Sequence, residues 1–264
     1  MHAKLNRLQD ALASYETLAI AFSGGVDSTF LLAVTHEVLG SAACAIMART
    51  PLVPTDEFAS AEAFCAERGI RLLAFDENQI ETVPGFSQNP PDRCYICKKA
   101  LFTRIIALAG EAGCAHVADG SNADDAQLYR PGAQALAEIG VASPLADAGL
   151  TKQDIRALSH EMGLPTWNKP SLACMASRFE YNTQLSIDAI ANVMRAERAL
   201  FAEGFSQARV RVHGDIARIE VPAIEIERFA DSALRERVVQ AVADAGFKHV
   251  TLDLRGFRIG SMDE

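Results

Sequence analysis

The sequence holds a single tryptophan, Trp167, and no apolar run long enough to span a bilayer. Residues 1–16 carry Lys4, Arg7, Asp10 and Glu16 and lack the apolar core of a secretion signal. No membrane partner is expected, and the cytoplasm is the expected setting. Basic residues are few against acidic ones: 25 Lys and Arg face 34 Asp and Glu, a net charge of −9. Such a chain has no global electrostatic draw toward nucleic acid, so no nucleic-acid partner is expected, although local basic patches stay open. Internal repeats and low-complexity stretches are absent. So are the Walker motif, with its lysine, and the Gly-x-Gly-x-x-Gly dinucleotide fingerprint. One Cys-x-x-Cys occurs and no second one. Without an export signal, the six cysteines read as reduced thiols, metal ligands or catalytic groups rather than disulfides.

What is present centres on Ser23-Gly24-Gly25-Val26-Asp27-Ser28. The preceding run Leu18–Phe22 is apolar throughout, as a strand buried on both faces of a parallel sheet would be. The glycines permit a sharp turn and a close backbone approach. Val26 to Leu39 then reads as a helix stopped by Gly40. Amide groups at such a helix start face an anion, and Ser23 and Ser28 add hydroxyls. Asp27 would repel phosphate unless a divalent cation such as Mg²⁺ bridges them. The plain alternative is a tight turn without a ligand. The motif resembles the PP-loop of the ATP pyrophosphatases, which split ATP between the α- and β-phosphates and adenylate their substrates.

Further along, 42–47, 70–75 and 116–118 read as strands, and 3–14, 55–68, a segment ending near 112, and 151–163 as helices. This alternation predicts an α/β fold with a doubly wound, Rossmann-like parallel sheet over 1–179, with ligands at the carboxyl ends of its strands. Residues 180–264 change character: a helix at 186–203 carrying Glu197, a hairpin of 208–213 and 216–221, a helix at 223–245 and a strand at 250–254 form a smaller α/β domain. The PP-loop resemblance implies nucleotide contacts from Ala21, Ser23, Gly24, Gly25, Val26, Asp27 and Ser28. It also implies an adenine contact through the backbone of Met47, and a second nucleotide loop with Gly120 and Asn122. Asp124 and Asp125 are either ligands or a solvated acidic turn. Arg130 either reaches phosphate or pairs with those acids.

Cys94 and Cys97 share one helical face beside Arg93, Lys98 and Lys99, charges that favour thiolates. A redox dithiol, half a metal site and two ordinary thiols all remain open. Cys174 lies in an irregular loop between Lys169 and Arg178, an electropositive setting for a reactive thiol or ligand. Trp167 reads as a packing residue. Cys44, Cys65 and Cys114 read as core or incidental thiols. Arg209 and Arg211 share a strand face, either as a surface pair on an edge strand or as an anion site.

SGGVDS, RCYICKKALF at 93–102 and KPSLACMASRF at 169–179 together resemble the LarE family, and the likeness extends to RVRVHGDIARIEVP at 209–222. LarE proteins are sulfur transferases of nickel-pincer nucleotide biosynthesis. The resemblance implies that ATP adenylates a carboxylate of pyridinium-3,5-biscarboxylic acid mononucleotide, releasing pyrophosphate, and that sulfur then displaces AMP to give a thiocarboxylate. Cys94, Cys97 and Cys174 match the type whose three thiolates hold a [4Fe–4S] cluster; in the single-cysteine type, the residue at position 174 gives up its own sulfur. The resemblance further implies Mg²⁺ at Asp27, and Arg178 beside the acyl-adenylate. Glu197, Arg209 and Arg211 fall to the substrate site, the assembly to a homo-oligomer (a hexamer), and other nickel-pincer biosynthesis proteins to the partners. A PP-loop tRNA thiolase and a non-enzymatic nucleotide sensor are the rival readings.

Overall fold

Alternate residues of the first apolar run face opposite sides of a sheet, and both sides are covered. In the computed structural model, which describes residues 1–125, 131–170, 173–258 and 260–262, the chain divides into two compact units. The first comprises Met1–Thr50, Pro54–Val83 and Asp92–Leu172; the second comprises Pro51–Val53, Pro84–Pro91 and Ala173–Glu264. The short segments 51–53 and 84–91 thus belong with the C-terminal residues. For example, Met175 N–H donates to Leu52 O at 3.1 Å, and Leu185 N–H to Ser87 O at 2.7 Å.

In the first unit, strands β1 (Leu18–Ala21), β2 (Ala43–Arg49), β3 (Arg71–Asp76) and β4 (His116–Ala118) form an all-parallel sheet ordered β3-β2-β1-β4. Its helices are α1 (His2–Ala13), α2 (Val26–Leu39), α3 (Thr55–Glu67), α4 (Gln79–Thr82), α5 (Arg93–Glu111), α6 (Pro131–Glu138), α7 (Pro144–Asp147) and α8 (Lys152–Glu161). Ile20 buries among Leu8, Phe30, Leu31 and Leu158 from α1, α2 and α8. Ala19, its neighbour in sequence, buries on the other face with Phe102 and Ile105 of α5. Each such fully buried large apolar side chain contributes about 1.5–3 kcal/mol. The fold is the expected α/β type, with a parallel sheet flanked by helices. Strand ends bearing the loops after β1, β2 and β4 all point the same way, because the strands are parallel.

In the second unit, α9 (Ile187–Ala202), β5 (Arg209–His213), β6 (Ile216–Glu220), α10 (Ser232–Asp244) and β7 (His249–Leu252) build a three-stranded mixed sheet, ordered β5-β6-β7, packed with two helices. The single helix expected over 223–245 is broken. A 3₁₀ segment, Ala223–Ala230, precedes α10, and the Asp231 carboxylate accepts the amides of Ala233 and Leu234 at 2.8 and 3.2 Å. A side-chain acceptor at that position starts a new helix rather than continuing an old one. Among the described residues no helix is long and apolar enough to cross a membrane.

Candidate functional site

The loop between β1 and α2 is shaped by two backbone approaches. Gly24 adopts φ +69°, and a Cβ there would lie 3.1 Å from Cβ of Ala61 on α3. From the loop after β4, Gly120 comes so close that a Cβ would lie 3.0 Å from the Ser28 amide nitrogen and 3.2 Å from its Cα. The two loops named from the sequence, 23–28 and 119–125, are therefore packed backbone to backbone. The α2 hydrogen-bond ladder begins with Thr29 N–H to Gly25 O at 3.0 Å, so the amides of Val26, Asp27 and Ser28 precede it. Ser23 and Ser28 hydroxyls lie 3.0 Å apart, and the Ser23 amide donates to Ser28 Oγ at 3.3 Å. This is a group of amide and hydroxyl donors gathered at a positive helix end.

Asp27 is held from one side only. Its Oδ2 accepts from Lys152 Nζ at 2.5 Å, whereas Oδ1 is buried with no hydrogen-bond partner among the described residues. A buried carboxylate oxygen of this kind is costly unless something occupies its lone pairs, and Mg²⁺ is a hard cation that takes carboxylate oxygen. Lys152 is itself placed by its backbone. Its amide donates to Asp124 Oδ2 at 2.8 Å, and Thr151 and Asp154 form a capping box at the start of α8. Lys4 donates to Asp154 Oδ2 at 2.6 Å, and together with the Thr151 amide it holds that carboxyl down at about 2. A second cation, Lys169, donates to Gly24 O at 3.0 Å and pairs with Glu57.

The acids after β4 have local duties. Asp125 accepts the Asn122 amide at 3.1 Å, Asp124 accepts the Lys152 amide, and Asn122 Oδ1 accepts the Asp124 amide at 3.0 Å. Arg130 lies outside the described residues. Met47 is buried, and the β1–β2 register ends at Ala21 and Ile46, so Met47 begins the part of β2 that runs beyond β1. Cys94 and Cys97 sit in the first two turns of α5, the former exposed and the latter half-buried.

In the second unit, exposed Cys174 precedes a 3₁₀ turn, Met175–Arg178. Arg178 is fully buried and turns inward. Its Nε and Nη2 donate to the two oxygens of Glu197 at 2.9 and 3.0 Å, and its Nη1 donates to Ala173 O at 2.8 Å and Cys174 O at 3.3 Å. Glu197 Oε1 also accepts the Val210 amide of β5 at 3.0 Å. The guanidinium thus anchors the backbone under Cys174. Arg209 and Arg211 are buried, not a surface pair. Arg211 Nε donates to Glu220 Oε2 at 3.0 Å, and Ser261 Oγ donates to Glu220 Oε1 at 2.6 Å. Burial, and then the neighbouring charge of Arg178, lower Arg209 to about 10.

No family model matches the chain. It is 39% identical to the pyridinium-3,5-bisthiocarboxylic acid mononucleotide synthase of Lactiplantibacillus plantarum over 255 residues, 96% of this chain and 91% of that one. The chain belongs to the LarE family. It is also 38% identical over its full length to an uncharacterized protein of Synechocystis, covering 98% of it. With another uncharacterized protein, of Methanocaldococcus jannaschii, identity is 28% over 91% of this chain and 90% of that one. Among the described residues, no three His, Cys, Asp or Glu side chains are grouped to hold a metal ion. Two cations that line this LarE loop escaped the sequence reading. Lys152 was visible only as part of a helix start, Thr151-Lys152-Gln153-Asp154, and Lys169 only as a neighbour of Cys174.

Proposed function

We propose that this chain uses ATP to adenylate a carboxylate of pyridinium-3,5-biscarboxylic acid mononucleotide, releasing pyrophosphate, and then introduces sulfur to give the thiocarboxylate. The observation that carries the reading is the likeness to a synthase of the bisthiocarboxylic acid mononucleotide over 96% of the chain. The loop at 23–28 supports it. In this reading the α2 amides and the Ser23 and Ser28 hydroxyls hold the departing pyrophosphate, Asp27 Oδ1 holds Mg²⁺, and Lys152 balances charge beside them. Bound Mg²⁺ would neutralise phosphate charge and favour departure of pyrophosphate. Arg209 and Arg211 take the phosphate of the mononucleotide, and Glu197 fixes Arg178, which anchors the Cys174 loop.

The thiols of Cys94, Cys97 and Cys174 suit an iron–sulfur cluster: they are exposed or half-buried, while Cys44, Cys65 and Cys114 are buried. A [4Fe–4S] cluster on those three thiolates would leave one iron able to carry the sulfide to be transferred. The same reaction with Cys174 as its own sulfur donor is favoured by a different observation, the exposure of that thiol on a loop whose backbone Arg178 anchors. The reading carries with it a homo-oligomer, a hexamer by family resemblance, working in the cytoplasm beside other nickel-pincer biosynthesis proteins.

Pyrophosphate release from ATP, dependent on added mononucleotide, is the expected result; release indifferent to the mononucleotide overturns the reading. Iron and acid-labile sulfide after anaerobic purification separate the sulfur sources. About four irons per chain, lost in Cys174→Ala, support the cluster. An iron-free chain that loses the elements of hydrogen sulfide at Cys174 during turnover supports the sacrificial route.

A further inference from the structure

Two cysteines far from each other in sequence meet in the core of the first unit. Cys44 lies on β2 and Cys114 in the turn between α5 and β4, and their Sγ atoms are 3.2 Å apart. Cys44 is 2% exposed and Cys114 is 8% exposed. Ala19 of β1, in register with Cys44 on one side and Val117 on the other, is buried in the same cluster as both thiols.

We propose that Cys44 and Cys114 are a site of disulfide formation driven by hydrogen peroxide. A disulfide needs its sulfurs about 2.05 Å apart, so they must approach by roughly 1.2 Å. Burial is the chief cause that pushes the Cys44 thiol up to about 12, with Cys114 adding to it. Burial keeps a bulky disulfide oxidant away from both sulfurs and admits only a small one, while the raised thiol makes its reaction with peroxide slow. Cys114, the more exposed thiol, reacts first. Its sulfur bonds to one peroxide oxygen, the O–O bond breaks, and water leaves, so sulfur is oxidised to the sulfenic acid and peroxide is reduced. The Cys44 sulfur then attacks the Cys114 sulfur; the S–S bond forms, the S–O bond breaks, and hydroxide leaves with the Cys44 proton as a second water. Two thiols and one peroxide become one disulfide and two waters.

The test is a peptide map of the full chain after peroxide treatment and alkylation in denaturant. The Cys44 and Cys114 peptides are expected joined, with Cys65, which is buried elsewhere on α3, still alkylated as a free thiol. The melting temperature of the oxidised chain should rise by several degrees, since a long loop is closed. In Cys44→Ala, or Cys44→Val should alanine fail to fold, dimedone should trap the sulfenic acid at Cys114. Glutathione disulfide in place of peroxide should leave the pair unlinked, and linkage by it would overturn the burial argument. Recovery of Cys44 and Cys114 as separate alkylated peptides, or of Cys114 as sulfinic acid in the unmutated chain, would overturn the proposal.

Discussion

The Lys152 ammonium stands 2.5 Å from Oδ2 of Asp27, across 125 residues of sequence, and leaves Oδ1 buried and unpartnered among the described residues. One oxygen of this carboxylate is therefore paired, and the other has no hydrogen-bond partner among the described residues. Lysine neutralises Asp27 where it would otherwise repel phosphate, and the remaining oxygen keeps its capacity for a metal ion. Lys152→Ala is expected to lower pyrophosphate release about 10- to 100-fold, with Lys152→Arg retaining more activity. Equal rates in all three proteins would show that the contact has no part in the chemistry.

Gly120→Ala places a methyl group 3.0 Å from the Ser28 amide nitrogen, against backbone that cannot rotate away. The loop at 23–28 must shift, and ATP affinity should fall about tenfold or more, in line with an overpacking cost of about 1–3 kcal/mol. Calorimetric titration with ATP measures it; undiminished affinity would mean that the two loops are not jointly responsible for the nucleotide.

Removing the carboxylate of Glu197 leaves Arg178 buried without its counter-ion. Glu197→Ala is expected to cost about 3–5 kcal/mol in urea unfolding, because an uncompensated buried charge is worse than no pair. Glu197→Gln, which keeps an acceptor, should cost less. Near-neutral behaviour of both variants would contradict the anchoring role.

Arg209→Ala should raise KM for the mononucleotide about tenfold while the KM for ATP stays put. A matched loss for both substrates would place Arg209 in the stability of the fold rather than in substrate binding.

Asp154 links pH to the stability of the first unit. Its carboxyl is held at about 2, below the usual value, by Lys4 and the Thr151 amide. A lowered carboxyl stabilises the folded state above its unfolded pKa, and this contribution disappears as the pH falls through the folded value. The window here runs from about pH 4 to about pH 2. After discounting for partial exposure, about 1–2 kcal/mol is at stake. Asp154→Asn should lose that amount at neutral pH and show a flatter acid limb in denaturant titrations from pH 6 to 2. An unchanged acid limb would show that Lys4 contributes nothing.

Much of the first unit could be read along the chain because its signals are local. An apolar run ending in Ser23-Gly24-Gly25, and a helix stopped by Gly40, state a strand, a turn and a helix without reference to distant residues. The break at Asp231 was less visible, since 223–245 is amphipathic throughout and only a side chain accepting amides two and three residues on reveals the new start. Arg178 was legible as a charge beside Cys174. Its inward direction depended on Glu197, 19 residues on.

Sequence alone determined the glycine turn at 23–28, the α/β class, the resemblance to LarE and the identity of the thiols outside the core, because motif and period are properties of neighbouring residues. Tertiary structure decided the rest. It put Lys152 on Asp27, Gly120 on Ser28, Arg211 on Glu220 and Cys44 beside Cys114. Each of those pairs is joined by strand order or helix packing, and side chains at such separations meet only when the chain has buried its apolar faces.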